Sequence, residues 1–164
     1  MLLLKNLLFT VLVPGTVAVY VPLLLASGRP TAYGFAQLLG AALLVVGASI
    51  YAWCVWDFAT SGRGTPAPLD APKHLVVRGL YRYSRNPMYV GVLTVIFGCA
   101  ALYLSPAIAI YGLAVATAFH LVVVFYEERT LAAQFGRQYD EYRSQVARWL
   151  PLARRNRPGG RRIG

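Results

Sequence analysis

Hydrophobic positions along this chain come in long blocks rather than at amphipathic spacing, and the longest block ends on two acids. From Asn86 to Tyr126, forty-one residues pass without an Asp, Glu, Lys or Arg, and Glu127 and Glu128 follow directly. At a rise of ~1.5 Å per residue, the block is about twice what one helix needs to cross a ~30 Å hydrocarbon core, so it must fold back on itself. Ser105-Pro106 supplies the break: an N-cap residue precedes one suited to a first helical turn. One helix is expected to end near Tyr103 and another to run to the glutamates. Upstream, Lys5 and Arg29 bracket twenty-three uncharged residues, and Arg29 and Asp57 bracket twenty-seven more. Spans are expected near residues 4–26 and 33–57, giving an all-α integral membrane protein with four transmembrane helices.

The pattern changes after the glutamates. A helix C-terminus favours cations, so two acids there predict that the helix continues. Leu131, Phe135, Tyr139, Tyr142, Val146 and Trp149 then follow at steps of 4, 4, 3, 4 and 3, with Arg137, Asp140, Arg143 and Arg148 off that stripe. The spacing predicts a C-terminal amphipathic helix on the cytoplasmic side, bent at Gly136, its aromatic stripe packed on the membrane or the hairpin. The chain therefore divides into two N-terminal spans (1–60), a core of loop, hairpin and amphipathic helix (61–151), and a basic disordered tail (152–164).

Composition agrees with the membrane class: 57% of residues are apolar and 13% charged, with a net charge of +10. The basic residues set orientation. Arg63, Lys73, Arg78, Arg82 and Arg85 lie between the second and third spans, and nine Arg follow Glu128, so both segments and both termini are expected in the cytoplasm of a multi-pass plasma- or inner-membrane protein. The charge also suits anionic lipid headgroups. It is not a nucleic-acid footprint, since no aromatic-basic interleaving on a soluble domain accompanies it. Gly28-Arg29-Pro30 is not a small-x-small cleavage site, so the first apolar block reads as a retained helix. Cys54 and Cys99 fall inside expected spans, where packing is their role and no metal site is expected.

Candidate chemistry concentrates before the third span. Ser, Gly and Pro punctuate Thr60 to Pro72; then Lys73, His74, Leu75 and Val76 lead to Gly79, Tyr81 and the run Arg85-Asn86-Pro87-Met88-Tyr89. Asn86-Pro87 is a helix start, with Asn expected to cap and Pro to occupy the first position. Its unpaired N–H groups suit a carboxylate or phosphate, and Arg85 strengthens that preference. Taken alone, the same residues also fit a helix start with headgroup anchors. With the carboxylate pair opposite and the amphipathic helix above, they would enclose a polar zwitterion.

In these residues the chain resembles the isoprenylcysteine carboxyl methyltransferase family of integral membrane methyltransferases. Leu75-Val76-Val77-Arg78-Gly79-Leu80-Tyr81 with Arg85-Asn86-Pro87-Met88-Tyr89 stands where the family has its first motif. Glu127, Glu128, Leu131, Phe135-Gly136, Tyr139, Tyr142, Val146 and Pro151 stand where it has its second. The resemblance covers residues 73 to 151 and implies S-adenosyl-L-methionine as methyl donor. It implies cofactor contacts from Lys73, His74, Leu75, Val76, Tyr81, Asn86, Pro87, Met88, Tyr89 and Glu127, with Arg85 and Glu128 as catalytic residues. Helix start and cations would take the methionyl carboxylate, aromatics would face the adenine or sulfonium, and Glu127 would accept from the amino group or ribose hydroxyls.

The chain departs from the family at two positions. Asn86 replaces a histidine, and Val123 stands where prenylcysteine enzymes carry an Arg associated with the substrate carboxylate. A prenylcysteine carboxylate is therefore not assigned as substrate; because the expected site opens toward the membrane, the acceptor is expected to be a lipophilic molecule entering from the bilayer, its methylated atom open among carboxylate, O, N and S. Where the acceptor must lose a proton, Glu128, His74 or water could take it. His120, two turns before Glu127, is expected as a packed, hydrogen-bonded core residue rather than a base. Three alternatives differ in readout. A phospholipid N-methyltransferase would label lipid amines, a sterol-reductase-like protein would bind NADPH, and a small transporter or scaffold would be expected to carry an acid near mid-bilayer. Every Asp and Glu here falls at or beyond a span end.

Overall fold

A computed structural model describes residues 13–26, 34–58, 60 and 75–150, which form helices and, among the described residues, no strand. The order is α1 (Val13–Leu25), α2 (Phe35–Asp57), a 3-10 turn (Gly79–Arg82), α3 (Pro87–Leu102), α4 (Pro106–Phe135) and α5 (Arg137–Gln145). Both α2, of 23 residues, and α4, of 30, are long and apolar enough to cross a membrane; α1 and α3 are shorter apolar helices. The start of the first expected span, the loop from 61 to 74 and the basic tail lie outside the described residues.

The hairpin forms where the sequence predicts it. After Leu102 the chain turns through Leu104 at φ 49°, and the Ser105 hydroxyl accepts the Ile108 N–H at 3.4 Å, capping α4 ahead of Pro106. Val92, Ile96, Cys99 and Ala100 of α3 and Ile108 of α4 close a core that Ala18 of α1 completes. Tyr111 Oη ties α4 to α1 by donating to the Val17 carbonyl at 3.0 Å.

The close approach of α2 to α3 rests on four glycines absent from the sequence expectations. A Cβ at Gly47 would meet the Gly91 carbonyl oxygen at 2.8 Å, and one at Gly40 would meet the Gly98 oxygen at 2.8 Å. Two helix backbones pack directly at these points, the small-residue contact by which helices associate where lipid supplies no hydrophobic drive. Meanwhile large apolar side chains face outward: Phe35, Leu38 and Trp56 on α2, Ile110 and Leu113 on α4. Such continuous apolar exposure suits hydrocarbon rather than water.

Beyond the hairpin, α4 does not stop at the acids. Its ladder widens to a π turn over Val123–Glu127 and then resumes as α-helix to Phe135. Gly136, at φ 50°, breaks the chain into α5, a backbone conformation glycine adopts without the cost a Cβ would bring. The expected stripe is divided: Leu131 and Phe135 lie on the last turns of α4, and the buried Tyr139 and Tyr142 lie on α5 beyond the break at Gly136. The helix ends at Gln145, Val146 is extended at φ −117° and ψ 130°, and Ala147 pairs with Ser84 as an isolated parallel bridge. The backbone of Ala147 and Arg148 is claimed by the loop before α3, so Val146 and Trp149 lie off the helix.

Candidate active site

The site is built around the start of α3. Pro87 occupies the first helical turn as predicted, but Asn86 does not cap with its side chain. Instead Asn86 Nδ2 donates to the Arg148 carbonyl at 3.0 Å, while the Arg85 N–H donates to the Ala147 carbonyl at 2.9 Å. The Ser84 hydroxyl accepts the Asn86 N–H at 3.2 Å. The C-terminal strap thus replaces a cap: it fixes the loop and leaves the first N–H groups of α3 without a side-chain acceptor.

Glu127 and Glu128 are adjacent in sequence and opposite in use. Successive helical residues point ~100° apart, so the pair divides between two neighbours. Glu127 accepts a hydrogen bond from Tyr89 Oη, joining α4 to the first turn of α3. Tyr89 also packs on Phe119, ring centroids 4.4 Å apart. Glu128 turns to the cations: Arg148 Nε and Nη2 donate to its two oxygens at 2.7 and 3.0 Å, and Arg85 Nη1 lies 3.1 Å from Oε1. Arg85 Nη1 also donates to Tyr139 Oη at 3.3 Å. The side chains of Arg85 and Glu128 are only 12% and 15% exposed, so the guanidinium is nearly enclosed while its Nε has no partner among the described residues. Arg148 is held more firmly protonated than an ordinary arginine, first by its hydrogen bond to Glu128.

A second layer lies beneath. Val76, Tyr81 and Cys54 form a buried cluster against which Met88 and Leu80 pack. Tyr142 Oη donates to the Tyr81 carbonyl at 2.7 Å, stapling α5 to the 3-10 turn. Burial pushes the Tyr81 phenol well above its ordinary range, with Cys54 adding to the shift; burial likewise raises Tyr139 and Tyr142. Asp57, at the end of α2 and 3% exposed, faces Arg78 at 3.6 Å. Gly79, at φ 57°, lies so close that a Cβ there would be 1.9 Å from Asp57 Oδ2. Glycine alone fits on both counts.

Of the sequence candidates, Arg85, Asn86, Pro87, Met88, Tyr89, Glu127 and Glu128 meet around the start of α3, with Val76 and Tyr81 beneath; Leu75 is half-buried. Lys73 and His74 lie outside the described residues. His120 departs from the expected packed core position: it is exposed on α4, although it is hydrogen-bonded, accepting at Nδ1 from Trp149 Nε1 at 3.2 Å. Asp57, Arg148 and Trp149 were missed as site residues. Asp57 reads in sequence only as the end of a span, and Arg148 reads as the polar side of a helix that ends before it.

Comparison with known proteins agrees with the motifs. The phospholipid methyltransferase family matches residues 35–138. A probable protein-S-isoprenylcysteine O-methyltransferase of Oryza sativa subsp. indica is 28% identical over 124 residues, 73% of this chain and 63% of that relative. Protein-S-isoprenylcysteine O-methyltransferase B of Arabidopsis thaliana is 36% identical over 78 residues, 48% of this chain and 40% of the relative. The chain therefore spans less than two thirds of the curated relatives it matches. No solved structure matches it. With well over half its length matched, from the start of α2 into α5, the chain belongs to the phospholipid methyltransferase family and is similar to the isoprenylcysteine methyltransferases over part of its length.

Proposed function

We propose that the chain is a four-span integral membrane methyltransferase that moves a methyl group from S-adenosyl-L-methionine to a lipophilic acceptor, with both termini cytoplasmic. Family membership supports methyl transfer, and the charge distribution supports the orientation. The observation that carries the reading is the division of the glutamates about the start of α3: Glu127 on Tyr89, Glu128 on Arg85.

The donor set fits a zwitterion with a hydroxylated, aromatic body. Arg85 has a buried donor without a partner, and the first turn of α3 carries N–H groups that no side chain caps. Both would face the methionyl carboxylate. Glu127 would accept from the amino group or ribose hydroxyls, and Tyr89 would contribute an aromatic face toward the sulfonium. Val76, Tyr81, Pro87 and Met88 would form the apolar floor, and Lys73, His74 and Leu75 stay candidate cofactor contacts on the motif resemblance alone. Asn86 holds the strap with one amide N–H, and its second N–H and Oδ1 would be available to the ligand. The bound group supplies a methyl carbon activated by its sulfonium.

What the protein adds is alignment and exclusion of water. Glu128 has both oxygens on Arg148 and one also near Arg85. Two cations beside it favour its ionised form and take three of its roughly four acceptor positions, so we assign it to positioning Arg85 rather than to taking a proton. An acceptor that arrives deprotonated needs no base. The acceptor would enter laterally between apolar helices. The family's description names phospholipid and the relatives' names an isoprenylated cysteine; both are lipophilic.

Incubating the purified protein in vesicles with isotope-labelled donor and a lipid extract tests the reading. Label should appear in an extractable lipophilic product and disappear with Glu127→Ala; a product in neither lipid nor detergent phase would contradict it.

A further inference from the structure

One buried acid takes no part in the reading so far. Asp57, the last residue of α2, is 3% exposed, and its Oδ1 lies 3.6 Å from Arg78 Nε. The Arg78 side chain is 60% exposed, so this is a long pair with one partner in water. A carboxylate buried against such a partner gains little stability, because the loss of its own hydration offsets the attraction. Its geometry is more informative. Gly79 has φ 57°, and a Cβ there would lie 1.9 Å from Asp57 Oδ2 and 3.1 Å from Trp53 Nε1. The carboxylate thus fills the space that a side chain at position 79 would need. Arg78, extended at φ −113° and ψ 173°, lies on its other oxygen. The two residues that lead into the 3-10 turn are each held by one oxygen of the same acid.

That turn sets the start of α3. The Tyr81 N–H donates to the Arg78 carbonyl at 3.1 Å, and the Leu80 carbonyl accepts the N–H groups of Tyr83 at 3.0 Å and Ser84 at 3.2 Å. The Ser84 hydroxyl then takes the Asn86 N–H, and Arg85 between them carries the guanidinium that meets Glu128. From Gly79 to Arg85 the links are backbone hydrogen bonds and one hydroxyl, with no long side chain to absorb a shift. The Tyr81 ring packs edge-on against Phe58, next to Asp57, with centroids 5.4 Å apart, and Met88 packs on the same cluster. We propose that Asp57 is a positioning residue for methyl-donor binding: with one oxygen on Arg78 and the other over Gly79, it fixes the turn and so aims Arg85 and Met88 at the donor. Asp57 itself touches neither donor nor acceptor. This rests on the donor-site reading and adds the end of α2 to the elements that determine donor affinity.

The simpler role for Asp57 is to pin the end of α2, which would change stability and leave affinity alone. Calorimetric binding of S-adenosylhomocysteine and the ligand-free melt, both in detergent, separate the two. Asp57→Asn keeps the shape and removes the charge. Its affinity should fall about 2- to 30-fold, the range for residues that act through a packed network, with a melt close to that of the wild type. Gly79→Ala drives a methyl into the carboxylate and should bind more weakly still. Adding Asp57→Ala removes the obstacle and should recover part of that loss, a coupling expected only of residues in direct contact. Should Asp57→Asn fail to fold, Arg78→Gln, changed at an exposed side chain, must show the loss of affinity in its place. An Asp57→Asn protein, or in its place Arg78→Gln, that binds as tightly as the wild type overturns the proposal, and so does a double variant that binds no better than Gly79→Ala. Wild-type protein that binds nothing would sink the donor-site reading itself.

Discussion

Tyr89 and Glu127 stand thirty-eight residues apart in sequence and share a hydrogen bond across the hairpin. The first turn of one helix is thereby locked to the end of a π turn in the next. The π turn sets the direction in which Glu127 leaves α4. Such insertions concentrate at functional positions because they re-aim a side chain at some cost in helix geometry. Tyr89→Phe removes the hydrogen bond but keeps the ring on Phe119, so donor affinity should fall modestly, about 3- to 10-fold for one hydrogen bond. Glu127→Gln, tested by equilibrium binding of S-adenosylhomocysteine, should cost more than Tyr89→Phe because it also removes charge from the site.

Arg85, Glu128 and Arg148 behave as one unit, and their variants should be non-additive. Arg85→Ala should abolish donor binding. Glu128→Ala should weaken it by releasing Arg85, and the double variant should be no worse than Arg85→Ala alone. Arg148 is partly exposed, so Arg148→Ala should cost only about 1 kcal/mol of donor binding. Additive losses in the cycle would show that Glu128 acts on the ligand directly.

The four glycines at the α2–α3 contact make a stability prediction. Gly47→Ala sets a methyl 2.8 Å from a backbone oxygen that cannot swing aside, and the helices must part. Overpacking of this kind costs typically about 1–3 kcal/mol. The melting temperature in detergent should drop for Gly47→Ala and Gly98→Ala alike, while Gly136→Ala, where no atom crowds the Cβ, should suffer only from its positive φ.

Alkaline pH should loosen the layer under the site. Tyr81, Tyr139 and Tyr142 have folded pKa values raised above the ordinary tyrosine value, chiefly by burial. Above about pH 10 the unfolded chain therefore binds fewer protons than the folded one, and stability falls as pH rises. Below that pH both states are protonated and these groups contribute no slope. Phenolate absorbance should report fewer titrated tyrosines in the folded protein than in denaturant, and Tyr142→Phe should reduce the gap.

Much of this was readable in the residues. An uncharged run too long for one helix, interrupted by Ser-Pro, specifies a hairpin through length and capping alone. Two acids at a helix end specify that the helix goes on. Three things were not readable, each because a distant backbone decides them. Asn86 has the sequence of a cap, but the Arg148 carbonyl, sixty-two residues away, takes its amide. The stripe through Val146 and Trp149 keeps helical spacing while pairing with Ser84 draws the chain into an extended form. The glycines of α2 and α3 look like ordinary apolar composition until their partners are known. His120 was misplaced for a related reason: periodicity locates a residue on a helix, but only the neighbouring elements decide which face is covered.

The most direct test of the account is calorimetric binding of S-adenosylhomocysteine to the detergent-solubilised wild type, Glu127→Ala and Arg85→Ala proteins. Saturable binding with one site in the wild type, lost in both variants while each keeps a cooperative melt, is the result predicted. Wild-type protein that melts cooperatively and binds nothing, or variants that bind as tightly as the wild type, would contradict it.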